Sequence, residues 1–386
     1  MEQLTQKYAQ KLALQGLTPP KEALIGFLDA ELRWNQEDAR IETLAPVFDH
    51  LNINALLFAR PAEPFASIVD FLASRTRGPI RPNDTETRTF LHDIPVIDEF
   101  AALPIAEALK HRKSVIVRDR GIVTAGSVTP EQTFVSFSSI CFACFVKFFY
   151  DFLAAGKRRF NDQQYLRVYQ TAVASLPPAR TFDATPAHGP FNTAEEIHRA
   201  MDEAGKLTVT YGLVDSYFGN VSYLRDNILY ISQSGSSLDE LAGHIDPCPL
   251  DGSSCAGITA SSELSAHRRI VTGTEADAVL HGHPKFSVIM SMFCERSACA
   301  HNETCHLSCP HPRSVAGIPI VPGEVGVGPH GLCNTVPPAL KNNPAAIVYG
   351  HGVFTTAVTD FNEALESLLS IENQCRNRYF TLIDET

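Results

Sequence analysis

The chain has 386 residues and a formal net charge of −11, a balance that argues against a nucleic-acid or anionic-membrane surface. With 44% hydrophobic and 19% charged residues, it reads as globular protein, long enough for two or three domains with ample core. The start, Glu2-Gln-Leu-Thr-Gln-Lys7, is polar, so no signal peptide is expected. The expectation is a cytoplasmic protein whose ten cysteines are reduced thiols or metal ligands rather than disulfides.

In the first half, Leu4, Tyr8 and Leu12 recur at helical spacing, as do Leu24, Leu28 and Leu32. Two amphipathic helices are expected, over Leu4–Leu14 and Lys21–Leu32, with Pro19-Pro20 breaking between them. Asn54–Pro61 and Ser114–Gly121 read as apolar strands ending in turns. Phe134–Ala155 is rich in Phe, Ile, Val and Cys but contains Lys147 and Asp151. It reads as a core helix, because a membrane span needs about 20 nearly uncharged residues. Cys141 and Cys144 inside it read as core packing. Residues 174–190 are rich in Pro and small side chains, which places a domain boundary between residues 1–180 and 190–386.

In the second half, Thr193 suits a helix N-cap with Glu195 and Glu196 in the first turn, opening a helix to about Lys206. Strands are expected near 228–232, 276–283 and 345–350, and a closing helix near 360–378. Short strands mixed with flanking helices predict a three-layer α/β/α domain.

The chemistry concentrates at the strand ends. His281-Gly-His283 ends one strand, and residues two apart on a strand point the same way. His351, within Tyr349-Gly-His-Gly352, ends another. Three neutral imidazoles leave a fourth metal position open, the arrangement of a catalytic rather than a structural zinc site. Manganese, iron or cobalt are alternatives to zinc at such a site.

Around these histidines lie Phe218-Gly-Asn-Val-Ser222, Leu229-Tyr-Ile-Ser-Gln-Ser-Gly235, Ala260-Ser-Ser-Glu263, His281-Gly-His-Pro284 and Gly350-His-Gly352. Their order and spacing, over roughly residues 190–380, resemble the class II aldolase/adducin family. That family includes sugar-phosphate aldolases, a ribulose-phosphate epimerase and a dehydratase of methionine salvage. The resemblance implies that His281, His283 and His351 are the metal ligands and Glu263 the general acid/base. It implies that Gly219, Asn220, Ser234, Gly235, Ser261 and Ser262 hold the substrate's phosphate. Physically, glycines let backbone N–H groups approach an anion and the Asn and Ser side chains add donors; phosphate and carboxylate are equally compatible. Glu263 also has a purely structural reading, as an acidic residue at a helix start behind a serine cap.

The activity implied is that of a metal-dependent lyase making or breaking a C–C bond beside a carbonyl. The substrate would be small, sugar-like, and phosphorylated or acidic, and the reaction would pass through a metal-stabilised enediolate. Dehydratase, decarboxylase or epimerase chemistry and a non-catalytic adducin-like scaffold are the alternatives.

The first half carries a faint copy of the second. Asn54–Pro61 aligns with Asp277–Pro284, and Ser114–Gly121 with Ala345–Gly352. Phe58, Arg60 and Arg120 thus stand where His281, His283 and His351 stand. The alignment continues through Ile122–Glu131 beside Val353–Asn362, read as a turn and helix. The expected architecture is two tandem three-layer α/β/α class II aldolase-like domains, the first degenerate and without metal ligands. Members of the family assemble as rings, so a homo-oligomer is implied.

Cys294, Cys299, Cys305 and Cys309, with His301, His306 and His311 interleaved, form an unusual insertion over residues 294–311. A second metal site is one reading; reduced thiols packed in a loop or an iron–sulfur cluster are the others, since the spacing fits no standard ribbon or ferredoxin pattern. Pro319–Pro329 reads as a rigid loop near the site, from which Glu324 or His330 could reach substrate.

Overall fold

The computed structural model describes every residue except Met1, Ser216, Ser297, Ala298, Asn302, Glu303, Val325–Val327 and Thr386. The chain divides into two compact units, residues 1–83 with 87–177, and residues 84–86 with 178–386.

The first unit opens with α1 (Glu2–Leu14), β1 (Leu24–Leu28), β2 (Leu32–Trp34), α2 (Ile41–Leu44), α3 (Val47–His50), β3 (Ala55–Ala59) and α4 (Phe65–Arg75). Next come α5 (Thr85–Leu91), whose first two residues belong to the second unit, β4 (Val96–Ile97), α6 (Ala102–His111), β5 (Ser114–Val117) and β6 (Gly121–Gly126). The long α7 (Pro130–Ala154) and α8 (Gln163–Ala174) close it. The strands form one sheet in the order β2-β1-β3-β6-β5-β4. Only β4 and β5 run parallel among these pairs.

The helix expected over Lys21–Leu32 is instead the β1–β2 hairpin. Leu24-Ile-Gly-Phe-Leu28 is a continuous apolar run, largely buried between β2 and β3. Leucines four apart fit a short buried strand as well as a helix, and here the sheet decides. Helix α7 begins with a capping box between Thr129 and Gln132 and has Pro130 in its first turn. It is long and apolar enough to cross a membrane, yet 83% of its most apolar window is buried inside the protein. Phe152 stacks on Tyr169 of α8 at 3.8 Å.

The second unit contains α9 (Ala194–Thr210), β7 (Asn220–Arg225), β8 (Ile228–Ser232), β9 (Ile245–Pro249), α10 (Leu264–Gly273), β10 (Ala278–Gly282) and α11 (Lys285–Met292). It continues with β11 (Arg313–Val315), β12 (Ile318–Val321), α12 (Leu332–Leu340), β13 (Ala345–Val348), β14 (Gly352–Ala357) and α13 (Asn362–Asp384). Its sheet runs β11-β12-β13-β14-β10-β7-β8-β9. Leu229, Val279, Ala346 and Phe354 face α10 and α12 through Ile270, Val336 and Leu340; α9, α11 and α13 cover the other face. This is the three-layer α/β/α arrangement. The N-cap of α9 is Thr193, in a capping box with Glu196.

Val353–Asn362, expected as a turn and helix, begins as strand β14 and reaches helix α13 only at Asn362; its counterpart Ile122–Glu131 likewise begins as strand β6 and reaches helix α7 at Pro130. Both are buried central strands between two antiparallel neighbours. The two sheets also share register. Asn220 pairs with His281, which pairs with Phe354; Leu24 pairs with Phe58, which pairs with Val123. Val348 pairs with Gly352 as Val117 pairs with Gly121, and β12–β13 is parallel as β4–β5 is.

Candidate metal centre

His281 lies in β10, on the ladder between β7 and β14, with its ring stacked on Phe354 at 4.0 Å. His283 follows two residues on, past the strand end. His351 sits in the tight turn from β13 to β14. All three are buried. Their Nε2 atoms converge: His283 to His281 at 2.9 Å and His281 to His351 at 3.2 Å. Bare imidazole lone pairs repel at that distance, so a proton or a cation must lie among them. Tetrahedral zinc with Zn–N near 2.0–2.1 Å places its ligand nitrogens about 3.3 Å apart, close to what the chain provides. Among the described residues this is the one group of three or more such ligand atoms within 4.8 Å of one another.

The outward-facing nitrogens show how the rings are held. His281 Nδ1 donates to the Val353 carbonyl at 3.0 Å, which leaves Nε2 unprotonated and able to bind a metal. His351 Nδ1 lies 3.2 Å from a Glu86 carboxylate oxygen. His283 is stacked on Phe218 at 5.5 Å.

Glu263, just before α10, turns its carboxylate inward. Its oxygens lie 3.2 Å from His351 Nε2 and 3.6 Å from His281 Nε2. Asn220 donates its amide N–H to the same carboxylate at 2.8 Å. The Asn220 carbonyl oxygen faces His267 Nε2 at 2.5 Å, and His267 Nδ1 faces Ser222 Oγ at 2.7 Å. One proton assignment satisfies the whole chain: Ser222 donates to His267, His267 to Asn220, and Asn220 to Glu263.

The electrostatics follow from burial and these contacts. Burial holds His281 and His283 below the ordinary histidine value, His283 far below it. Burial also lowers His267, to about 3. His351 is the exception: burial lowers it, but its contacts with Glu263 and Glu86 outweigh that and push it up to about 10. Burial raises Glu263, but His281, His351 and Asn220 together hold it well below the carboxylate range. Without a metal, the imidazolium charge of the cluster is thus favoured on His351, between two carboxylates. A divalent cation fits this donor set and charge.

The residues expected to bind an anion are placed as follows. Gly219 has φ +87°, and a Cβ there would lie 2.4 Å from the His281 carbonyl oxygen, so glycine is required beside β10. Asn220 is buried and its amide already engaged by Glu263 and His267. An antiparallel bridge between Gln233 and Ala260 sets Ser234 beside Thr259 and Ser261 beside Ser232, so Ser234–Gly235 and Ser261–Ser262 lead away from it in opposite directions. Ser261 is buried and its Oγ accepts from the Glu263 N–H at 3.3 Å; Ser234, Gly235 and Ser262 are exposed.

All ten cysteines are free thiols. Cys305 is buried and its Sγ contacts the His301 carbonyl at 3.3 Å. Burial raises its thiol, with Cys309, Cys294 and Cys299 near enough to add to the rise. Glu324 and His330 meet through their backbones, Glu324 N–H to His330 O at 2.8 Å; Val325–Val327 of that loop lie outside the described residues.

Residues 188–379 match the family model described as Class II Aldolase and Adducin N-terminal domain. This half of the chain belongs to the class II aldolase/adducin family. Solved structures similar to it include L-fuculose-1-phosphate aldolase from Thermus thermophilus, at 21% identity and a TM-score of 0.40, covering 49% of this chain and 96% of that one. YgbL from Klebsiella pneumoniae gives 22% identity and 0.39, over 50% of this chain and 92% of that one. A sugar-phosphate aldolase from Thermotoga maritima gives 17% and 0.35, over 49% and 96%. Comparison with curated proteins gives no match.

Two neighbours of the candidate site escaped the sequence reading, the buried His267 and the half-buried Glu86. His267 stands four residues after Glu263, one helical turn on, and that spacing was a usable signal. Glu86 lies far off in sequence, in a stretch with no motif.

Proposed function

We propose that the chain is a metal-dependent aldolase-type lyase, with His281, His283 and His351 holding the ion and Glu263 carrying the proton. Zinc suits three imidazoles best, with manganese, iron and cobalt as alternatives. Bound there, a divalent ion supplies a Lewis acid for a substrate carbonyl. The observation that carries this reading is the placement of Glu263: buried, held by Asn220, and within 3.6 Å of the Nε2 atoms of His281 and His351. From there it can take a proton from, or return one to, the carbon or oxygen next to the carbonyl. The intact ligand set favours an enzyme over an adducin-like scaffold. Related chemistry at that carbon, namely dehydration, decarboxylation or epimerisation, would use the same groups.

Gly219, Ser234, Gly235, Ser261 and Ser262 are read as the anion site, which points to a small phosphorylated or carboxylated substrate. Cys294, Cys299, Cys305 and Cys309 are read as a second metal site. The first unit is read as a degenerate copy of the second: shared strand order and register support this. Phe58 occupies the ladder position of His281, and Arg60, past its strand end as His283 is past its own, pairs with Asp70 at 2.6 Å. We further read the protein as homo-oligomeric, as the family resemblance implies, and as cytoplasmic.

The test is turnover of a panel of phosphorylated and acidic sugars, comparing wild type with His283→Ala. Cleavage by wild type that the variant loses is the expected result. Equal activity of the two would rule the site out.

A further inference from the structure

We infer that Glu86 is a positioning residue of the metal centre, orienting His351 and strengthening its hold on the ion. The inference rests on the metal-centre reading above and deepens it.

A metal-binding histidine that coordinates through Nε2 carries its proton on Nδ1, and when buried that N–H needs an acceptor. His281 uses the Val353 carbonyl. For His351, the nearby acceptor is the Glu86 carboxylate, 3.2 Å from Nδ1. The approach is oblique to the N–H rather than along it, so the contact is an ion pair more than an aligned hydrogen bond.

The contact is built in, not incidental. Residues 84–86 form part of the second unit. Thr85 donates both its N–H, at 2.6 Å, and its Oγ1, at 2.9 Å, to the Gly350 carbonyl. That pins Thr85 to the residue before His351. Gly350 has φ +59°, and its own N–H donates to Ser291 Oγ at 2.8 Å. A Cβ at Gly350 would lie 3.2 Å from Thr85 N, so a side chain there would crowd the anchor. The next residue, Glu86, is thus delivered to the outer nitrogen of His351, while the inner nitrogen faces His281 and Glu263. A carboxylate in that place fixes the ring's tautomer and orientation and makes its metal-facing nitrogen more basic.

The experiment uses the full chain, stripped of metal and titrated with Co²⁺, followed by its visible spectrum, and with Zn²⁺ against a chromophoric chelator. Glu86→Gln and Glu86→Ala should bind about 10–100-fold more weakly and shift the Co²⁺ bands. Glu86→Asp should recover part of the affinity, and Arg88→Ala, an exposed change in the same helix, should match wild type. Wild-type affinity and an unchanged spectrum in Glu86→Gln would overturn the inference. If Glu86→Ala loses its fold by circular dichroism, the shape-matched Glu86→Gln decides. A wild type that takes up neither ion overturns the metal-centre reading itself, a result distinct from the failure of Glu86 alone.

Discussion

Asn220 links Glu263 to His267: its N–H reaches the carboxylate at 2.8 Å while its carbonyl faces the imidazole at 2.5 Å. All three side chains are buried, so the amide cannot be replaced by water at no cost. Asn220→Ala leaves a buried acceptor on Glu263 and a buried donor on His267. Each buried group left unsatisfied costs about 1–3 kcal/mol. Urea denaturation of the metal-free protein should show a loss of that order; unchanged stability would contradict the network.

Glu263→Gln keeps the side chain's shape and removes its ability to carry a proton. Turnover should fall by about 10²–10⁴-fold, the usual worth of a general acid/base, while the metal content stays that of wild type. Activity within a few-fold of wild type would show that Glu263 is not the proton carrier.

The histidine cluster was legible in the sequence because a strand's two-residue period puts His281 and His283 on one side without further information. The proposed repeat was read from apolar runs and turn glycines, which align Phe58, Arg60 and Arg120 with the three histidines. What failed was the assignment of short buried strands. Leu24–Leu28 and Val353–Ala357 are apolar segments whose type depends on neighbouring strands, and no local pattern carries that. Glu86 was invisible because its role is set by where Thr85 anchors the chain, which is a tertiary fact.

The metal-free protein should depend on pH through His351. Burial lowers that imidazole, but Glu263 and Glu86 raise it further, to about 10 against an ordinary 6.5. Folding therefore favours the protonated form. The resulting stability is fully present below pH 6.5 and is lost as pH rises towards 10. His267, held at about 3 by burial, contributes oppositely: its share is present above 6.5 and lost as pH falls towards 3. The urea midpoint should decline between about pH 7 and 10, and His351→Gln should flatten that decline. An equal decline in the variant would remove His351 as its cause.

Elemental analysis of wild type and of the His281→Ala/His283→Ala double variant, both purified without chelators, decides whether the three histidines hold an ion. One divalent ion per chain is expected at the histidines, present in wild type and missing from the variant; a second ion that persists in the variant belongs to the Cys294–Cys309 cluster. A wild type free of metal, or a variant whose content is undiminished, would contradict the metal-centre reading.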